Sequence, residues 1–245
     1  MLKRIIPWIL PIIILFIWSL ATMVFYLVPS IFFPSPLEVI NSGYELLVSG
    51  KLLSATSFTL INVLFGLTLG AIVAIPLGIL LGWSKTLEEM SKLVIGVLRP
   101  IPPIAWIPFS ILWFGIGIAP AIFIIFIGCL FPILIYTLDG VKRSDKVLIE
   151  VGETLGATNL QILTRIVFPS AIPTIVSGLK VGIGIALMCT VSAEMIGSGN
   201  GLGHLILNST NLFDTGSTIV GMLTIGLIGL GFDFIFTKVQ DKIFW

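Results

Sequence analysis

The chain has 245 residues, 57% of them hydrophobic and only 10% charged, with a formal net charge of +1 and a mean hydropathy of +1.16. Soluble domains carry about 25% charged residues, so a water-soluble fold of this size would leave a large apolar surplus facing solvent, and the bilayer is the expected surroundings. The near-neutral balance has no polybasic footprint, which excludes nucleic acid as a partner; Cys129 and Cys189 lie inside apolar runs and read as small core residues, with no disulfide or metal site.

Lys3 and Arg4 precede an apolar run that is too long for a cleaved leader and has no small-residue cleavage site. A helix needs about 20 apolar residues to cross the hydrocarbon, and this run supplies a first span over about 8–28. Ser35-Pro36-Leu37-Glu38 is a capping box with proline at the first helical position, which predicts a short outer helix ending near Gly50. The charge-free stretch between Lys51 and Lys85 predicts a second span over about 58–82, and Thr86-Leu87-Glu88-Glu89 a second capping box on the inner side. Residues 100–138 carry no charge and are too many for one helix; a break at Gly115–Pro120 divides them into spans over about 97–114 and 120–138. Beyond a polar insert at 140–170 come spans over about 174–196 and 217–236, six in all. Pro76, Pro100, Pro102, Pro103 and Pro108 are placed to distort spans two and three. Gly66/Gly70, Gly78/Gly82 and Gly178/Gly182 have the spacing that lets membrane helices approach closely, though glycine is also simply common in such helices.

With the N-terminus inside, the inner segments hold ten cations (Lys3, Arg4, Lys85, Lys92, Lys142, Arg143, Lys146, Arg165, Lys238, Lys242) and the outer segments only Lys51. Lysine and arginine accumulate on the cytoplasmic side, so both termini and the insert are expected there, in a multi-pass protein of the cell membrane. Arg99 and Lys180 stand near inner helix ends, where long side chains snorkel.

The insert reads as two short helices. Asp145 caps the first, Val147, Leu148, Val151 and Leu155 fall on one stripe, and Gly156 ends it. Thr158-Asn159-Leu160-Gln161 is a third capping box, opening a helix that is expected to stop before Pro169. A plain connector needs only a few residues, so the small elbow Gly156-Ala157 is read as a surface for a soluble partner.

Glu150, Gly156, Ala157, Ile166 and Pro169 resemble the EAA signature of permease subunits of ATP-binding-cassette importers. FPSPLEVI at 33–40, RPIPPIAWIPFSILWFGIG at 99–117 and SAEMIGSGNGLGHLI at 192–206 are similar to the nitrate/sulfonate/taurine branch, and the likeness spans about 33–237. The resemblance implies an all-α, polytopic fold of the type I importer kind: a first helix and outer helix over 1–53, a transmembrane domain over 54–237 and a tail over 238–245. It implies that Glu150, Gly152, Leu155, Gly156, Ala157, Thr158 and Pro169 form a coupling insert that docks in a cleft of a separate ATPase. The partners implied are two such ATPase subunits, which bind the ATP and magnesium, an external solute-binding protein and a second copy of the permease; this chain is then no enzyme and holds no cofactor. Val151 and Gly152 replace the usual two alanines, and Asn62 stands near a position where this branch commonly has arginine.

Trp106, Ser192, Glu194 and Met195 are the candidates for the translocation pathway or its gate. An intramembrane carboxylate is by default a functional group; Glu194 either lines the pathway or braces the loop Gly197–Gly203 by accepting backbone N–H bonds. His204 is the only histidine and builds no metal site alone. The chain has no G-x-x-x-x-G-K-[ST] run to cradle ATP. An ion-coupled secondary transporter is the alternative, but it calls for mid-membrane ion-coupling groups and internal repeats.

Overall fold

Apolar runs punctuated by glycine, proline and charge become helices in this computed structural model, which describes residues 2–25 and 29–243, with side chains from 9 to 242 within those ranges. No strand occurs among the described residues. In chain order the helices are α1 (Leu2–Ser19, continued by a π turn Leu20–Val24), α2 (Pro36–Val48), α3 (Lys51–Trp83), α4 (Lys85–Leu98), a 3₁₀ turn Pro103–Trp106, α5 (Ile107–Phe114), α6 (Ile118–Lys142), α7 (Lys146–Thr154), α8 (Asn159–Ile162, continued by a π turn Leu163–Val167), α9 (Phe168–Gly197), α10 (Leu202–Asn211) and α11 (Thr215–Ile243).

Four helices are long and apolar enough to cross a membrane: Lys51–Trp83, Ile118–Lys142, Asn159–Gly197 and Thr215–Lys242. A fifth candidate is the pair α4 with Pro103–Phe114, bent by 82°. Ile9–Val24 is a shorter apolar helix; the rest of the expected first span, at 26–28, and the side chains of Lys3 and Arg4 lie outside the described residues.

Three expectations need correction. The third span is not one helix over 97–114, although its prolines distort it as expected. It breaks at residues 99–102, because Pro100, Pro102 and Pro103 offer no N–H to continue the ladder begun by α4. The inner capping box is not at Thr86: the cap is Ser84, whose Oγ accepts from the Leu87 N–H at 3.4 Å, so Thr86 lies inside the helix. The second helix of the insert does not stop before Pro169. It runs on as one 39-residue helix, Asn159–Gly197. A π turn, in which the Phe168 N–H reaches back to the Leu163 carbonyl, shifts the hydrogen-bond ladder just ahead of the proline.

The described residues form two compact units, one of residues 1–59 and 200–226, the other of 60–199 and 227–245. In the first, the predicted capping box at Ser35 and Glu38 opens α2. Trp18 stacks near Phe33 with ring centroids 5.6 Å apart and donates its Nε1–H to the Pro34 carbonyl at 2.9 Å. Leu202 donates its backbone N–H to Thr59 Oγ1 at 2.9 Å, which holds the start of α10.

The second unit is built around α6, flanked by α3 on one side and α9 on the other. Its core runs through Val63, Leu67, Ile124, Ile125, Cys129 and Ile133. Glycine decides how close the helices come. A Cβ on Gly66 would strike Ile125, one on Gly70 the Cys129 sulfur, and one on Gly82 would lie 2.7 Å from Val141 Cβ. On the other flank a Cβ on Gly178 would lie 2.6 Å from Tyr136 Cβ, and one on Gly182 3.0 Å from Ile133 Cγ1. All three predicted glycine pairs are therefore packing sites, in a medium where close contact rather than water exclusion draws helices together. Lys180 reaches across to α11, with Nζ 2.9 Å from Asp233 Oδ1 and 2.9 Å from Thr237 Oγ1.

Candidate functional site

The polar insert is where local sequence chemistry and tertiary packing meet. The Asp145 carboxylate accepts from the Val147 N–H at 2.9 Å and opens α7. The helix ends at Leu155, and Gly156 takes φ +78°. The Ala157 N–H bonds the Gly152 carbonyl at 3.0 Å and the Gly156 N–H bonds the Glu153 carbonyl at 2.9 Å, a Schellman closure that needs a left-handed residue at position 156. Thr158 follows at once as a cap: its N–H donates to Gln161 Oε1 at 2.8 Å, and its Oγ1 accepts from the Gln161 N–H at 3.3 Å. Helix stop and helix start are thus two residues apart, which makes a tight elbow with no side chain at its apex. Replacing Thr158 with alanine should cost about 1 kcal/mol of local stability, read as faster amide exchange over 158–162 with α9 unaffected.

One side of the insert is fixed to the fold. Ile162, Val167, Ala171 and Val141 form a small buried cluster, with Ile149, Ala157 and Ile166 packed against it. Gly152 is buried against this cluster; a Cβ there would lie 3.0 Å from Ile166 Cδ1. The insert's ends are tied by a 2.7 Å hydrogen bond between the Ser144 and Ser170 hydroxyls. Lys142 is anchored to Glu88 of α4 by a 2.6 Å ion pair. The other side is bare: Val147, Leu148, Val151 and Leu155 are all exposed, Leu155 by 81%. Glu150 and Gly156 are exposed as well, and nothing lies within 4 Å of a Cβ built on Gly156. Pro169 is exposed in the first turn of α9.

The pathway candidates lie on α9 and on the turn Pro103–Trp106. Glu194 is wholly buried in α9 and accepts from Asn62 Nδ2 of α3 at 3.1 Å, while Asn62 Oδ1 has no hydrogen-bond partner. Asn62 was legible as a family departure but not as the partner of Glu194; the signal available was that both are polar residues deep inside apolar runs. Ser192 donates back to the Met188 carbonyl of its own helix at 3.4 Å. Met195 and Trp106 are half-buried, Trp106 with its ring centroid 6.3 Å from that of Phe109. The link between Asp233 and Lys180 went unseen because 53 residues of sequence separate two charges that helix packing brings level.

Residues 66–244 match the family model described as binding-protein-dependent transport system inner membrane component. The chain belongs to this family. It is 43% identical over 240 residues to a putative ABC transporter permease protein of Methanocaldococcus jannaschii, covering 96% of this chain and 89% of the relative. It is 32% identical over 228 residues to the putative aliphatic sulfonates transport permease protein SsuC of Escherichia coli (93% and 86%). The nitrate import permease protein NrtB of a Synechocystis strain is 34% identical over 209 residues (82% and 76%). The fold matches that of the inward-facing methionine ABC transporter MetNI in its native crystal form, with TM-score 0.73 at 19% identity, over 80% of this chain and 97% of that one. The chain is thus the permease subunit of an ABC importer, an all-α membrane-spanning protein of the nitrate/sulfonate/taurine branch.

Proposed function

We propose that this permease carries a small solute, sulfonate-, taurine- or nitrate-like or else vitamin-precursor-like, inward by alternating access, with the insert at 140–170 receiving force from a separate ATPase. The observation that carries the reading is the bare apolar stripe Val147, Leu148, Val151 and Leu155 on an element whose opposite side is locked into the fold. An apolar surface held rigidly beside charged residues marks a protein contact. The elbow at Gly156-Ala157 adds a small protrusion that a groove can accept. Two ATPase subunits bind ATP and magnesium on the cytoplasmic side, where both termini also lie. A solute-binding protein delivers the solute outside, and a second permease copy completes a twofold assembly that presents two inserts to two motors. Glu150, Gly152, Leu155, Gly156, Ala157, Thr158 and Pro169 belong to the coupling insert. Trp106, Ser192, Glu194 and Met195 belong to the pathway or its gate, with Glu194 held by Asn62.

The test is co-purification and uptake. The wild-type chain is expected to capture its ATPase and to support ATP-driven uptake in vesicles. The double change Val151→Glu with Leu155→Glu should lower complex recovery at least about tenfold, since each buried apolar side chain contributes roughly 1.5–3 kcal/mol. Uptake that persists without any ATPase would overturn the reading in favour of an ion-coupled carrier.

A further inference from the structure

The break in the third span opens onto a pocket. Residues 99–103 end one side of it, and α6 and α9 form the wall, giving a cavity of about 340 Å³ lined by Phe131, Ile135, Val181 and Ile185. Two polar residues belong to this mostly apolar lining, Arg99 and Tyr136, both of them exposed in part. Among the described residues no carboxylate lies within 4.0 Å of the Arg99 guanidinium, and the Tyr136 hydroxyl makes no hydrogen bond. Tyr136 stands six residues before the end of α6 at Lys142, about 9 Å along the helix axis. The contrast with Lys180 is direct: that cation is neutralised by Asp233. Glu194, the carboxylate that would repel an anion, is buried against Asn62 on a different part of α9.

We infer that this pocket is a subsite of the permease for an organic monoanion with a short apolar tail. Arg99 and Tyr136 hold the anionic head, and the tail lies against Phe131, Ile135, Val181 and Ile185. Guanidinium offers paired N–H donors that match a planar or tripodal oxyanion. A phenol adds one further donor, and a mostly apolar cavity near the small end of the ligand-pocket range suits a compact solute. Discontinuous helices are where membrane carriers place such sites, because the interrupted backbone lines a cavity rather than facing lipid. The inference rests on the importer reading for its biological sense, but binding is measurable without turnover.

The full chain in nanodiscs of phosphatidylcholine alone, with its ATPase where that co-purifies, is titrated with pentanesulfonate, and thermal melting is followed. The melting midpoint should rise with sulfonate and not with pentanol, the neutral molecule of equal tail. Arg99→Gln should require at least about tenfold more sulfonate for the same shift, Tyr136→Phe about threefold more, and Arg99→Lys should fall between wild type and Arg99→Gln. Equal shifts for wild type and Arg99→Gln, or for pentanol and sulfonate, would overturn the site. So would native mass spectrometry showing a phosphatidylglycerol held through Arg99 that pentanesulfonate does not displace, since the head group bound would then be a lipid's. Sulfonate binding without ATP-driven sulfonate uptake by the wild-type complex would leave the subsite standing and remove sulfonate as the transported solute instead.

Discussion

Replacing Gly156 with tryptophan is expected to abolish solute-stimulated ATP hydrolysis and reduce uptake by two orders of magnitude or so, while the permease stays folded in the membrane; the size corresponds to losing about 2.7 kcal/mol of docking free energy. Two effects add. The residue holds φ +78°, which a side chain adopts at a cost of roughly 1–2 kcal/mol. The indole would also project from the apex of the elbow, where nothing of this chain lies within 4 Å to receive it. Asparagine separates the two, because it tolerates the left-handed conformation. Gly156→Asn should leave the Schellman bonds and the melting behaviour intact yet still impair stimulated hydrolysis. Stimulated hydrolysis at the wild-type level in Gly156→Trp would show that the elbow does not receive the motor. If only Gly156→Trp failed and Gly156→Asn coupled normally, the turn would matter and the protrusion would not.

The second large effect belongs to the core. Gly78→Leu should destabilise the permease by about 3 kcal/mol or more and deplete it from the membrane fraction, as overpacking in a dense interior does. A Cβ on Gly78 would sit 2.6 Å from Thr137 Cβ and 2.8 Å from the Leu134 carbonyl oxygen. The second of these is backbone and cannot swing aside, so α3 and α6 would have to separate along their length. Gly184→Leu is the matched control: it lies in α9 with nothing within 4 Å of its Cβ position. Melting in detergent, with monodispersity checked by size exclusion, should fall steeply for Gly78→Leu and little for Gly184→Leu. Equal melting of the two variants would mean that α3 and α6 do not pack through glycine.

Much of this was open to reading without coordinates, and the reason lies in the range of the forces involved. Caps and turns are decided within four residues, so Ser35, Asp145, Gly156 and Thr158 announced their helix ends, and all four hold. The error at Thr86 was one of competition: Ser84 also carries a hydroxyl two residues earlier and took the cap, a choice between near-equal local options. The stop expected at Pro169 failed for a related reason. A proline forbids one hydrogen bond, and a single π turn re-routes the ladder around it at lower cost than ending a membrane helix whose backbone groups would then have no water.

The chain's own composition determined that it lives in lipid, how its apolar runs divide, and that a polar double helix interrupts them, because transfer of side chains and backbone from water depends on residue type and short spacing alone. Only the tertiary structure decided which face of that insert is bare, that Asn62 meets Glu194 and Lys180 meets Asp233, and that Arg99 and Tyr136 share a cavity. Those are contacts between segments up to 132 residues apart, set by how glycine-lined helices fit against one another, and no local rule carries that register.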